Sequence, residues 1–215
     1  MASDTSSVAT ERNTSVFDEP SDKSDVVLVV EDRHLHVNKT ILASASNVFD
    51  KMFNGDFKEK QGGEIPLPEK SYDDIVDLLL CIYPSELRPV TRETVDKLLE
   101  LADEYQIVGL KRCCEEFLLD RCDRYKLKIE AYRVSRDDIV HFLYLADKYG
   151  LDILLETTTD IASKYAVNKT KQYEFYVAAH EDYKNISFAA LTKLLEKRVQ
   201  FIEEVCKTSH QLICK

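Results

Sequence analysis

Val26-Val27-Leu28-Val29-Val30 is a short, largely β-branched run, Glu31-Asp32-Arg33 breaks it with charge, and His34-Leu35-His36-Val37 alternates polar with apolar. This pattern predicts a two-stranded hairpin with one buried face. Ile41 and Leu42 within residues 39–44 predict a short helix, and Val48, Phe49, Met52 and Phe53 behind a Ser46 cap form the apolar stripe of a second. Gly62-Gly63 interrupts the chain, and residues 64–67 read as a short strand ended by Pro68. Ser71 and Asp74 have the spacing of a capping box, opening a helix with Ile75, Leu78, Leu79 and Ile82 on one side. After a proline-bounded loop at 84–89, Thr91 caps a helix carrying Val95, Leu98, Leu99 and Ala102. A turn at 105–109 leads to a helix over 110–120 that turns Leu110, Cys114, Phe117 and Leu118 inward.

Residues 121–136 are charge-rich and mixed, the pattern of a linker or a loosely packed helix. Ser135 and Asp138 then open a new helical series, and two further helices are expected near 171–183 and 188–206. The last of these sets Phe188, Leu191, Leu195, Ile202 and Cys206 along one face. Leu101-Ala102-Asp103-Glu104-Tyr105 with Leu110 recurs as Leu145-Ala146-Asp147-Lys148-Tyr149 with Leu154, at a fixed offset of 44 residues. Both copies read as helix, tight turn after the tyrosine, helix; this is repeated supersecondary packing. Residues 1–22 are rich in Ser, Thr and charge, with Phe17 as their one large apolar anchor, and predict a flexible tail. The expected division is a tail at 1–22, a domain at 23–120, a linker at 121–137 and a helical region at 138–215.

Composition narrows the function. A chain of 215 residues with a net charge of −10 has an acidic surface, which disfavours nucleic-acid binding. No apolar run, Val26 to Val30 among them, is long enough to span a bilayer. The opening Met-Ala-Ser-Asp-Thr lacks the apolar core of a secretory signal, so the expectation is a protein inside the cell, in cytoplasm or nucleus. The four Asn-x-Ser/Thr matches then carry no glycosylation. Cys81, Cys113, Cys114, Cys122, Cys206 and Cys214 contain no C-x2-C pair and have no histidine at ligand spacing, so reduced, mostly buried thiols are expected. His34-x-His36 places two rings on one strand face, but with no third ligand nearby the expectation is a structural role and no metal. No P-loop, GxSxG, HExxH or GxGxxG motif is present, so neither an enzyme nor a cofactor is expected.

Ser24-Asp25-Val26-x-Leu28-x-Val30, His34-Leu35-His36-Val37-x-Lys39-x-x-Leu42 and Ser46-x-x-Phe49-x-x-Met52-Phe53 resemble the opening of a BTB/POZ domain. Ile82-Tyr83 and Leu101-Ala102-Asp103-x-Tyr105 follow in that family's order. The resemblance covers about residues 22–120 and is nearest to the BTB domains of MATH-BTB proteins, particularly in Phe53-x-x-x-Phe57-Lys58-Glu59-Lys60. Residues 137–215 resemble a BACK-type extension through the Leu-Ala-Asp-x-Tyr repeat. The resemblance implies an α+β chain: a BTB/POZ fold with a short three-stranded sheet flanked by helices, then an all-α BACK-like region. It departs from the family in having no MATH domain before the BTB domain and no kelch repeats or zinc fingers after it, so the expectation is a chain without the usual substrate-reading module.

The resemblance also implies sites. Phe57 and Glu59 match the hydrophobic-x-Glu motif with which BTB proteins engage a cullin-3-type ligase scaffold, an aromatic anchor with a carboxylate on its rim. The alternative is a Phe57 folded into the core beside a solvated Glu59. Asp25 and Lys39 match a charged pair near the BTB dimer interface, against the alternative of a local helix cap or surface pair. Ile41, Val48, Phe49 and Met52 supply the apolar surface of a self-complementary contact, some of them serving the monomer core. The expected function is a homodimeric adaptor joining a cullin-3-type scaffold to an unidentified protein substrate. The alternative is a self-associating or heterodimerising regulator of other BTB proteins without ligase function; cullin binding separates the two.

Overall fold

The computed structural model describes residues 14–54, 63–127, 135–165 and 176–213. Strands β1 (Val26–Val30) and β2 (Arg33–Val37) pair antiparallel, with Leu28 opposite Leu35. Their two-residue turn puts Glu31 and Asp32 at φ 49° and 61°, the left-handed geometry that matches strand twist in a tight hairpin. Strand β3 (Glu64–Pro66) joins β1 in parallel, giving the order β2-β1-β3. Pro66, with no N–H to donate, sits on this edge strand. Period-two alternation sends Val26, Leu28, Val30, Leu35 and Val37 into the core.

Against this sheet lie α1 (Lys39–Ala45), α2 (Asn47–Asn54) and α3 (Tyr72–Ile82), which bury Leu42, Phe49, Phe53, Ile75, Leu78 and Leu79. The expected Ser71–Asp74 capping box is not formed, since Ser71 makes no side-chain cap bond. Glu31 of the hairpin turn accepts from the Tyr72 N–H instead, at 3.2 Å, so a tertiary contact replaces the local one. The segment expected to be a tail is structured from residue 14: Phe17 is buried, its carbonyl accepts from the His36 N–H at 2.7 Å, and its ring meets Tyr83 edge-on at 4.8 Å. The buried Phe17 ring, this bond along the outer edge of β2 and the bonds of Asp18 to Tyr72 and Arg33 offset the ordering cost that the polar composition suggests is prohibitive.

The remaining helices are α4 (Val95–Glu104), α5 (Val108–Lys126), α6 (Arg136–Tyr149), α7 (Asp152–Ser163) and α8 (Phe188–Ile213). Helix α5 continues six residues past 120, into the segment expected to be a linker. Residues 171–183 were expected to be helical; their described part consists of the short 3₁₀ turns Tyr176–Ala179 and Glu181–Asn185. The repeat is structural. Gln106 and Gly150, equivalent residues after the two tyrosines, both adopt left-handed φ, at 53° and 61°. Each ends a helix, and Leu110 and Leu154 are buried beyond them. Helix α6 opens with the expected capping box between Ser135 and Asp138.

The chain divides into two compact units, one of Met1–Pro89 with Glu104–Ile107 and the other of Val90–Asp103 with Val108–Lys215. Most of α4 and all of α5 therefore group with the C-terminal helices.

Candidate functional site

The residues singled out as a self-association surface lie on the first unit, around the N-terminus of α1. That terminus is closed by two side chains. Asn38, the cap residue, accepts from the Ile41 N–H at 3.1 Å and donates its amide to the Lys23 carbonyl at 2.6 Å. Asp25 accepts from the Lys39 backbone N–H at 2.6 Å. A carboxylate at a helix N-terminus gains from both the bond and the helix dipole. Asp25 and Lys39 are thus joined, but through the Lys39 backbone, and the Lys39 ammonium lies 6.0 Å from the Phe53 ring centroid. Within the protomer this is the helix-cap arrangement and not a side-chain ion pair.

Asp25, Lys39 and Met52 line a shallow hollow of about 140 Å³ with Val26, Phe53 and Ile65. Ile41 lines a second hollow of about 290 Å³ with Phe17, Tyr83 and Pro84. Val48 and Met52 are half-buried, leaving part of each side chain at the surface. Phe49 is different: it is fully buried, stacked on Tyr105 at 4.6 Å and on Phe53 at 5.9 Å. Its expected place in an intermolecular surface is corrected, because a ring with no exposed area serves the protomer core. Phe57 and Glu59 lie outside the described residues, which stop at the end of α2 and resume just before β3.

Two clusters escape a reading of the sequence, and the Ser46 cap that it predicts carries a tertiary bond besides. Ser46 is buried; its hydroxyl donates to the Tyr105 carbonyl and accepts from the Val48 and Phe49 N–H groups at 3.1 and 3.0 Å. Asp18 accepts from the Tyr72 hydroxyl, the Ser15 N–H and Arg33, whose guanidinium lies 3.3 Å from the Tyr72 ring centroid. Burial opposes ionisation of Asp18, but these donors outweigh it and hold the carboxyl below its ordinary range. The same burial, with the Asp18 carboxylate beside it, pushes Tyr72 up to about 12. Phe17 was the only available sequence signal for this cluster.

In the second unit His141 bridges two carboxylates, Asp96 at 2.9 Å from Nε2 and Asp182 at 2.8 Å from Nδ1. The bond to Asp96 raises the imidazole, burial works against it, and Asp182 adds to the rise, giving about 9. At neutral pH both ring N–H groups donate. Burial also pushes the Cys122 thiol up to about 12, which suits an unreactive core residue. No disulfide joins the described cysteines. Among the described residues no group of three or more His, Cys, Asp or Glu is placed to hold a metal, and no helix is long and apolar enough to cross a membrane. His34 instead faces Glu64 across the sheet at 3.7 Å.

Residues 15–121 match the BTB/POZ domain family. BTB and MATH domain-containing protein 36 of Caenorhabditis elegans is 32% identical over 199 residues, covering 90% of this chain and 55% of that protein. BTB and MATH domain-containing protein 38 of the same organism is 30% identical over 184 residues, covering 83% and 41%. Kelch-like protein 7 of Gallus gallus is 28% identical over 142 residues, covering 61% and 24%. The chain thus spans about half or less of the length of these curated relatives. Among solved structures, the BTB domain of human gigaxonin shares 26% identity over 44% of this chain and 77% of that one, with a TM-score of 0.36.

Proposed function

Residues 15–121 being a BTB/POZ domain, we propose that this protein-interaction module makes the chain a homodimeric adaptor that recruits a cullin-3-type ubiquitin-ligase scaffold and holds a protein substrate beside it. The observation that carries the reading is Phe57-Lys58-Glu59, placed between α2 and β3 of a BTB/POZ domain. That is the position the family resemblance assigns to cullin docking. An aromatic side chain flanked by a carboxylate suits an anchor that fills an apolar pocket while the charge fixes orientation at the rim. The adaptor needs no reacting group of its own; it supplies proximity to a ubiquitin-charged enzyme held elsewhere on the scaffold. The dimer is assigned to the surface around α1 and α2, with Asp25, Lys39, Ile41, Val48 and Met52, and it presents two docking arms.

The test is co-elution of the full chain with a cullin-3 N-terminal domain, with mass read by light scattering, for wild type and for Phe57→Ala/Glu59→Ala. Wild type is expected to co-elute and the double variant to elute alone at its own unchanged mass. A wild-type chain that ignores the cullin overturns the ligase reading and leaves a self-associating regulator of other BTB proteins.

A further inference from the structure

Helix α8 has two apolar stripes, and only one is used within the protomer. The inward stripe buries Ala190 and Leu194. Glu156 of α7 ties it down, accepting from Lys193 at 2.7 Å and from Lys197, while Arg198 donates to the Ser163 carbonyl at 2.7 Å. The second stripe is the one whose periodicity the sequence displays: Phe188, Leu195 and Ile202 are 86%, 56% and 46% exposed, and Val199 between the last two is 55% exposed. Cys206 is exposed on the same side. At 100° per residue this stripe lies well around the helix from Ala190 and Leu194. Solvated surface helices ordinarily carry polar residues there.

The spacing of the second stripe is that of a coiled-coil seam. Leu195 and Ile202 take d positions, and Val199 and Cys206 take a positions, in alternating steps of four and three residues. In a parallel coiled coil, a β-branched residue at a with leucine at d favours two strands over three or four. The flanking charges select the partner and its direction. Glu196 and Glu203 occupy successive e positions, and Arg198 occupies the g position five residues before Glu203. Parallel pairing of two identical helices sets the g position of Arg198 against the e position of Glu203 in the other copy. Antiparallel pairing sets glutamates against glutamates.

We propose that the outer face of α8 is a second self-association surface, occupied by α8 of another copy of this chain in parallel register. It is separate from the α1–α2 surface and does not depend on it. In parallel register the Cys206 side chains of the two copies share one layer, within reach of a disulfide under mild oxidation. In antiparallel register they are far apart.

The first arm of the test uses the full chain with Cys113→Ser and Cys214→Ser, oxidised with diamide at micromolar concentration. A covalent two-chain species is expected, absent in Cys206→Ser and reduced at least tenfold in Leu195→Glu/Ile202→Glu. Both glutamates enter exposed positions, and an unchanged circular dichroism melt confirms that the fold survives. The second arm measures mass by light scattering in a Val48→Asp/Met52→Asp background, which removes the α1–α2 surface. A two-chain mass is expected there, falling to one chain when Leu195→Glu/Ile202→Glu is added. A single-chain mass in that background, no Cys206-linked species, or linkage indifferent to the glutamates overturns the proposal, including in favour of a different partner or of burial by the chain's own remaining residues.

Discussion

His141 shows how one side chain makes stability depend on pH. An imidazole that ordinarily titrates near 6.5 is held up to about 9 by Asp96, with Asp182 adding to it against the cost of burial. Below about pH 6.5 both folded and unfolded chains carry the proton, and the bridge contributes in full. From there to about 9 the unfolded chain releases a proton that the folded chain keeps, so the contribution drains away as pH rises. After discounting for solvent screening of a partly exposed ring, the amount is about 1–2 kcal/mol. Urea midpoints between pH 6 and 9.5 are expected to fall more steeply for wild type than for His141→Gln; parallel curves contradict the bridge. Ser46 is the other residue with a large stake. Ser46→Ala removes an N-cap and leaves the Tyr105 carbonyl without its buried donor, an expected loss of about 1–2 kcal/mol in urea melts. The Ser46 cap was legible in sequence, but its bond to Tyr105 was not, nor was the His141 bridge, because Asp96, His141 and Asp182, like Ser46 and Tyr105, meet only through tertiary packing.

At the scale of elements, local patterns carried what local physics decides. The β-branched run with its alternating partner gave the hairpin, the stripes gave α1 and α2, and Ser135 with Asp138 gave the start of α6. The sequence missed wherever a distant contact overrode a local preference. Glu31 caps α3 in place of Ser71, and the edge of β2 orders the Phe17 segment. The stripe along α8 was read as a face, but sequence alone did not show that a second, smaller stripe of Ala190 and Leu194 does the packing. Of the candidate site, the placement of Asp25 at the α1 terminus was foreseeable as a cap, while the burial of Phe49 depends on Tyr105, far along the chain. The Phe17 segment yields a direct prediction. Phe17→Ala is expected to cost about 3 kcal/mol in a denaturant melt and to speed exchange of the His36 amide hydrogen. An unchanged midpoint with unchanged exchange contradicts its anchoring role.

At the scale of the whole molecule, the proposed adaptor works by bringing copies and partners together. Its net charge of −10 disfavours contact with a phosphate backbone. The proposed α1–α2 dimer contact is expected to be separable from α8 by mutation. In a Leu195→Glu/Ile202→Glu background, light scattering is expected to report two chains for an intact first unit and one chain for Val48→Asp/Met52→Asp, with the melting temperature preserved. Two chains in both cases place the dimer contact elsewhere.

The adaptor reading stands on docking of a cullin-3-type scaffold by Phe57 and Glu59. Isothermal titration of the full chain with a cullin-3 N-terminal domain tests it most directly. Loss of an anchor residue is worth about 2 kcal/mol or more, so Phe57→Ala is expected to weaken binding about 30-fold or beyond. Glu59→Ala is expected to weaken it by less, with circular dichroism unchanged in both. Wild-type affinity in both variants, or no heat of binding from the wild-type chain, contradicts the claim.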